Sequence, residues 1–197
     1  MPIPLGVLAQ AGAGGGGGGV ANAYEWLETT ILTGTQTSIS FSNLDTSYAS
    51  TYQHLQLRIV AKNNRSSSAG DNIRLRLNGV SSNAYWWHHI YGQGASVITQ
   101  TSGGITDAIY FRFVAGNNFT PFSPMIIDMV DAFEAGKNRT IRALYGTPTP
   151  ESSQLNSSLL AGFWNNTSAI SSIELTLENS SSFVSGTRVS LYGLKGA

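Results

Sequence analysis

Any chemistry in this chain must come from three histidines, His54, His88 and His89, or from two nearby carboxylates, Asp128 and Asp131, because there is no cysteine to supply a thiolate, a disulfide or a sulfur-ligated metal. A metal centre needs several such groups converging on one point. His88 and His89 are adjacent in a stretch with strand character, and successive strand side chains point to opposite faces, so one is expected to face outward and the other to pack beneath the sheet. Asp128 and Asp131 stand three apart and face opposite sides of a strand in the same way, whereas acid–base work needs two carboxyls held across a cleft. Asp131 is instead expected to open the turn through Glu134 and Lys137, and Asp128 to pair with Arg112 or Arg139. Gly14, Gly16 and Gly19 satisfy the spacing G-x-G-x-x-G, but no strand precedes them and no helix follows, so no helix N-terminus is placed to meet a pyrophosphate. G-x-S-x-G, S-x-x-K and H-E-x-x-H are all absent. The chain is therefore read as a non-enzyme, with no catalytic residue, metal or cofactor expected.

The elements that would position these residues are strands. Beyond about residue 23 the pattern has period two, rich in β-branched and aromatic residues and punctuated by Gly, Asn, Ser and Pro. Leu55, Leu57, Ile59 and Ala61 alternate with Gln56, Arg58 and Val60. Ile73, Leu75 and Leu77 alternate with Arg74 and Arg76, which puts both arginines on one outward face before the turn at Asn78 and Gly79. Ile109, Phe111 and Phe113 alternate with Tyr110 and Arg112, and the segments 24–33, 38–41, 85–91, 140–146, 159–164, 170–177 and 188–194 read as further strands. The run 125–130 is apolar except for Asp128 and is expected to be covered on both faces. Residues 44–52 read as a polar connection with one helical turn. About ten or eleven short strands without intervening helices predict an all-β fold, an antiparallel β-sandwich of jelly-roll type.

Composition narrows the function further. Charged residues make up 11 % of the 197, and eleven basic residues balance eleven acidic ones. That balance removes the positive footprint expected of a nucleic-acid or anionic-membrane binder. No run approaches the ~20 apolar residues of a membrane span, and no basic residue precedes Arg58, so a secretory leader is not expected.

The N-terminal segment differs from the rest. An uncharged apolar tip containing Ile3, Leu5, Val7 and Leu8 runs into six consecutive glycines, Gly14 to Gly19. Glycines lose the most backbone freedom on ordering and bring no side chain to bury, so this stretch is not core. Residues 1–23 are read as an anchoring arm with a Gly-rich spacer, and 24–197 as the sandwich domain. Ile3, Leu5, Val7, Leu8, Gly14, Gly16 and Gly19 are the expected assembly anchor.

One cluster stands out, Tyr85-Trp-Trp-His-His-Ile-Tyr91. Alternation places Tyr85, Trp87, His89 and Tyr91 on one face and Trp86, His88 and Ile90 on the other, so one face is core. The other is expected to meet a neighbouring subunit, to present an aromatic platform to a glycan, or to be buried within the domain.

Several motifs together carry a family resemblance: Tyr24-Glu-Trp-Leu-Glu-Thr-Thr30, Tyr48-Ala-Ser-Thr-Tyr-Gln-His-Leu-Gln-Leu-Arg58, Asn72-Ile-Arg-Leu-Arg-Leu-Asn-Gly79, the stretch from Ile126-Ile-Asp128 to Lys137-Asn-Arg-Thr-Ile-Arg142, and Ser190-Leu-Tyr-Gly-Leu-Lys-Gly196. Over residues 24–196 the chain resembles small virion structural proteins of tailed bacteriophages, common in phages of aquatic bacteria and cyanobacteria. The resemblance implies a structural protein on the particle exterior, of tail-fibre or tail-tip type, or alternatively a capsid decoration (cement) protein. It implies a homotrimer whose other partners are tail or major capsid proteins; the alternative from a different class is a module that binds host surface glycan through the Tyr85–Tyr91 aromatics. It transfers no catalytic residue.

Overall fold

The computed structural model describes residues 23–66, 70–102, 104–147 and 156–196. The arm residues Ile3, Leu5, Val7, Leu8, Gly14, Gly16 and Gly19 lie outside them, as does the side chain of Phe113. The fold is an all-β sandwich of antiparallel sheets. In chain order its elements are β1 (Tyr24–Ile31), β2 (Ser38–Phe41), the single helical turn α1 (Leu44–Tyr48), β3 (His54–Ala61), β4 (Gly70–Leu77), β5 (Tyr85–Gln93), β6 (Ser96–Thr101), β7 (Ile109–Ala115), β8 (Ser123–Val130), β9 (Arg139–Thr147), β10 (Asn156–Trp164), β11 (Ile173–Leu177) and β12 (Arg188–Leu194).

The strands form one sheet of eight, ordered β1-β12-β3-β8-β9-β10-β5-β6, and one of four, ordered β2-β11-β4-β7. Eight strands make a frame in which the chain steps from one sheet to the other: β1, β3, β8 and β12 lie in the larger sheet, and β2, β4, β7 and β11 in the smaller. The pairs β5–β6 and β9–β10 are additions between frame strands, and both extend the larger sheet past β8. The core lies between the sheets, where Leu57, Ile59, Ile127 and Leu191 of the larger meet Ile73, Leu75, Phe111 and Leu175 of the smaller, each essentially fully buried. Period two in the sequence makes this possible, since every second residue of β3 and β4 is delivered to the same side. Each such aliphatic contributes about 1.5–3 kcal/mol on burial.

The expectation that residues 125–130 are covered on both faces is corrected. Along β8, Met125, Ile127 and Met129 are buried while Ile126 and Val130 are exposed. The strand lies where the smaller sheet covers only one side of the larger, and its outer apolar residues are left facing away. β6 adds a strand that sequence reading missed, and β11 begins at Ile173 rather than at 170.

Buried charges staple the loops. Arg139 is fully buried, and its guanidinium donates to the carbonyls of Lys137, Thr167 and Ser168, tying the β8–β9 turn to the loop after β10. Burial lowers its pKa from the ordinary arginine value. Asp71 is equally buried and accepts from the Asn72 and Asn179 backbone N–H groups, the Asn179 amide and the Ser181 hydroxyl. It thereby fixes the turn after β11, where Ser180 takes a left-handed φ of 56°. Asp71→Ala removes the acceptor and strands these donors, so unfolding in denaturant should show a loss of about 2–4 kcal/mol, with Asp71→Asn losing less.

Candidate functional site

The aromatic strand β5 separates two surfaces. Its pairing with β10 sets Tyr85 opposite Trp164, Trp86 opposite Phe163, His88 opposite Ala161 and Ile90 opposite Leu159. Tyr85, His89 and Tyr91 are buried and Trp87 is half-buried, while His88 and Ile90 are exposed. The adjacent histidines thus lie on opposite faces.

Outward, the register builds an apolar ladder. Ile126 stands opposite Leu144, Leu144 opposite Leu159, and Leu159 opposite Ile90, on four neighbouring strands. Their exposures are 37 %, 61 %, 49 % and 44 %. Direct cross-strand neighbours have side chains in contact range, so the four form one continuous stripe. Beside it the Trp86 and Phe163 rings stack, with centroids 4.8 Å apart and planes 8° from parallel. They wall a shallow hollow of about 570 Å³ whose other lining includes His88, Thr101, Asn138 and Thr140.

Asp128 lies on this same outer face. It accepts from Arg142 at 2.9 Å and from Gln56 at 2.7 Å. Its cationic partner is therefore Arg142, its cross-strand neighbour, rather than Arg112 or Arg139. Asp131 sits in the following turn with φ 50°, accepting from Gln53 and Lys137, and its backbone N–H donates to His54 Nδ1 at 2.9 Å. The two carboxylates have separate partners on separate elements. Among the described residues no three of His, Cys, Asp and Glu gather as metal ligands.

Inward, the far half of the larger sheet has no sheet beneath it and wraps round the edge strand β7. Tyr110 and Arg112 alternate with the buried Ile109 and Phe111, so they lie on the outer side of the smaller sheet. Yet Tyr110 meets Trp87 with ring centroids 6.3 Å apart, and the Arg112 guanidinium lies 4.7 Å from the Tyr91 ring centroid. The β5–β6 hairpin must therefore reach past the β7 edge. It closes against that outer side to form a second hollow of about 260 Å³. Arg112 also donates to Gln100 at 2.9 Å, linking β7 to β6. Tyr110 donates to Asp107, and burial, then that bond, raises its pKa to about 12. His89, 1 % exposed, forms the floor.

Sequence reading singled out the aromatics of β5 but missed Tyr110, Arg112 and Gln100 as their neighbours. No local signal places β7 and β6 beside β5. Comparison of the chain with family models, curated proteins and solved structures gives no match.

Burial, and then the positive charge of Arg112 and His88, lowers the His89 pKa from 6.5 to about 4. The imidazole is neutral at pH 7. Because the unfolded chain binds this proton more readily, the contribution is complete above pH 6.5 and is lost as pH falls through 6.5 towards 4. His89→Leu should abolish a pH dependence of about 2–3 kcal/mol over that window, read as the difference in denaturation free energy between wild type and variant at pH 7 and pH 4.

Proposed function

We propose that this chain is a non-enzymatic structural module of a bacteriophage particle, carried on the exterior as a tail-fibre or tail-tip component and self-associating as a trimer. The N-terminal arm attaches it to neighbouring virion proteins. The observation that carries this reading is the exposed ladder Ile126–Leu144–Leu159–Ile90. Large contiguous apolar stripes are uncommon on monomeric proteins and mark surfaces that another protein covers. Its occupant is a second copy of the same chain, since a chain of zero net charge brings no self-repulsion to such a contact.

Three further features agree with it. The sequence motifs over residues 24–196 resemble phage virion proteins. The frame order β1-β12-β3-β8 over β2-β11-β4-β7 is what supports reading the sandwich as a jelly roll, a fold common in particle shells and attachments. Asp128 and Asp131 have local partners, His54 accepts from a backbone N–H, and His89 is buried.

Leu144→Asp combined with Leu159→Asp places charge on exposed positions and should leave thermal unfolding nearly unchanged. The variant should sediment as a monomer where wild type sediments as a trimer, with self-association at least about tenfold weaker. A wild-type chain that stays monomeric at tens of micromolar would overturn the self-association. Immuno-electron microscopy on particles should find it on the tail in a few to a few dozen copies; hundreds on the head shell would reassign it to capsid decoration.

A further inference from the structure

The end of the larger sheet away from β5 carries a groove of about 360 Å³ on its outer face, across β1, β12 and β3. Register builds it in rows. Thr29, Ser190 and Arg58 stand side by side on the three strands, and Ile31, Arg188 and Val60 form the next row. On the other side of the Thr29 row, Trp26 stands opposite Tyr192. Trp26 and Thr29 are three residues apart and would face opposite ways in a regular strand. A bulge between Trp26 and Glu28 turns both outward, and the indole N–H donates to the Thr29 hydroxyl at 2.7 Å. Bulges re-aim side chains in this way beside functional sites. Trp26 is thus held in place by a hydrogen bond while 63 % exposed.

The polar groups of the groove offer hydrogens. Thr29 and Ser190 are linked at 2.8 Å. The pair holds two hydroxyl hydrogens and uses one for that bond, so the other is left to donate. Arg58 and Arg188 are both exposed, and a guanidinium only donates. Arg58 Nε donates to Gln56 at 3.1 Å, and its guanidinium lies 5.2 and 5.1 Å from the Tyr24 and Tyr192 ring centroids. These contacts fix the group and leave its two terminal nitrogens without a hydrogen bond among the described residues. Arg188 has no hydrogen bond or ion pair among them. No carboxylate lines the groove among the described residues, and Asp128, on the same outer face, is held by Arg142 and Gln56. Two guanidiniums without a counter-charge, beside a spare hydroxyl hydrogen, call for an oxygen anion, to which charge-assisted bonds are the strong ones.

We propose that this groove binds an acidic sugar, a single ring carrying a carboxylate or a phosphate. The anion lies between the Arg58 and Arg188 guanidiniums and accepts the spare hydrogen of the Thr29–Ser190 pair, and the C–H face of the ring packs on the Trp26 indole. A bare anion would leave the indole, Ile31 and Val60 uncovered, and a neutral sugar would leave both charges unanswered. A peptide carboxylate sits on a flexible stem and brings no flat face to the indole, so a rigid ring loses less freedom on binding. The groove lies at the β1 edge and the self-association ladder on β8, β9, β10 and β5, so either can fail without the other.

The test is an NMR titration of the full ¹⁵N-labelled chain with glucuronate and glucose-1-phosphate, following the Trp26 indole N–H. Glucose, acetate, inorganic phosphate and a polyglutamate peptide are the comparisons. At least one acidic sugar should shift that resonance saturably with a millimolar Kd, about tenfold or more tighter than any comparison. Arg188→Gln removes an exposed charge that holds nothing in the fold, so it should weaken binding about tenfold without lowering the melting temperature. Trp86→Ala, at the far end of the sheet, should leave binding intact. The proposal is overturned if neither acidic sugar saturates the shift, if glucose, a bare anion or the peptide binds as tightly, or if Arg188→Gln keeps full affinity. The wild-type titration decides the matter even if a variant fails to fold.

Discussion

Eight strands packed against four is the constraint from which the rest of this molecule follows. A four-stranded layer can cover only part of an eight-stranded one, and the remainder must find other partners or stay open. Near β3, β8 and β12 the two layers meet and the core is mostly aliphatic. Beyond β9 the larger sheet instead curls round the edge of β7, and its inner residues change from aliphatic to aromatic and polar. Tyr145 illustrates the transition. Its ring packs edge-on against Phe111 at 5.8 Å, and its hydroxyl accepts from the Arg112 backbone N–H at 3.3 Å. The contact joins β9 to the β7 edge where sheet-on-sheet packing ends.

A guanidinium at the start of β9 and a carboxylate on β4 are buried, and loop carbonyls and loop donors supply hydrogen bonds to them. The charges there fix loops whose sequences have little propensity of their own. In the overhang, a buried imidazole and an indole N–H have none among the described residues. An apolar residue at either place would avoid the desolvation cost.

The parts of the fold legible in the sequence were those fixed by a strand's own alternation. Leu55, Leu57 and Ile59, and then Ile73, Leu75 and Leu77, declare their buried side without reference to neighbours. Opposite orientations for His88 and His89 follow from the same rule. Where sequence reading failed, the missing information was register or layer coverage. The partner of Asp128 is decided by which residue of β9 stands opposite it, and Arg142 does. Ile126 and Val130 gave the run in β8 the look of a doubly covered strand, although only one side has a sheet on it. The edge strand β6 carries Val97 and Ile98 among Ser, Thr and Gln, too few apolar residues to signal a strand. The second hollow was illegible for a related reason: Tyr110 and Arg112 alternate as outward residues, and only the curl of the larger sheet brings β5 and β6 to them.

The place of β12 in the larger sheet sets an order on how the molecule comes into being. β12 lies between β1 and β3, pairing Tyr24 with Leu194 and Leu55 with Gly193. During synthesis, β1 and β3 leave the ribosome long before the strand that joins them, and no direct pairing between the two replaces it. Closing such distant segments is slow, because the loop entropy is lost before the contacts form. The nascent chain must therefore hold back from completing its sheet until nearly all of the described residues have emerged. Until then β1 has no partner in the larger sheet, because β12 is the one strand it pairs with among the described residues.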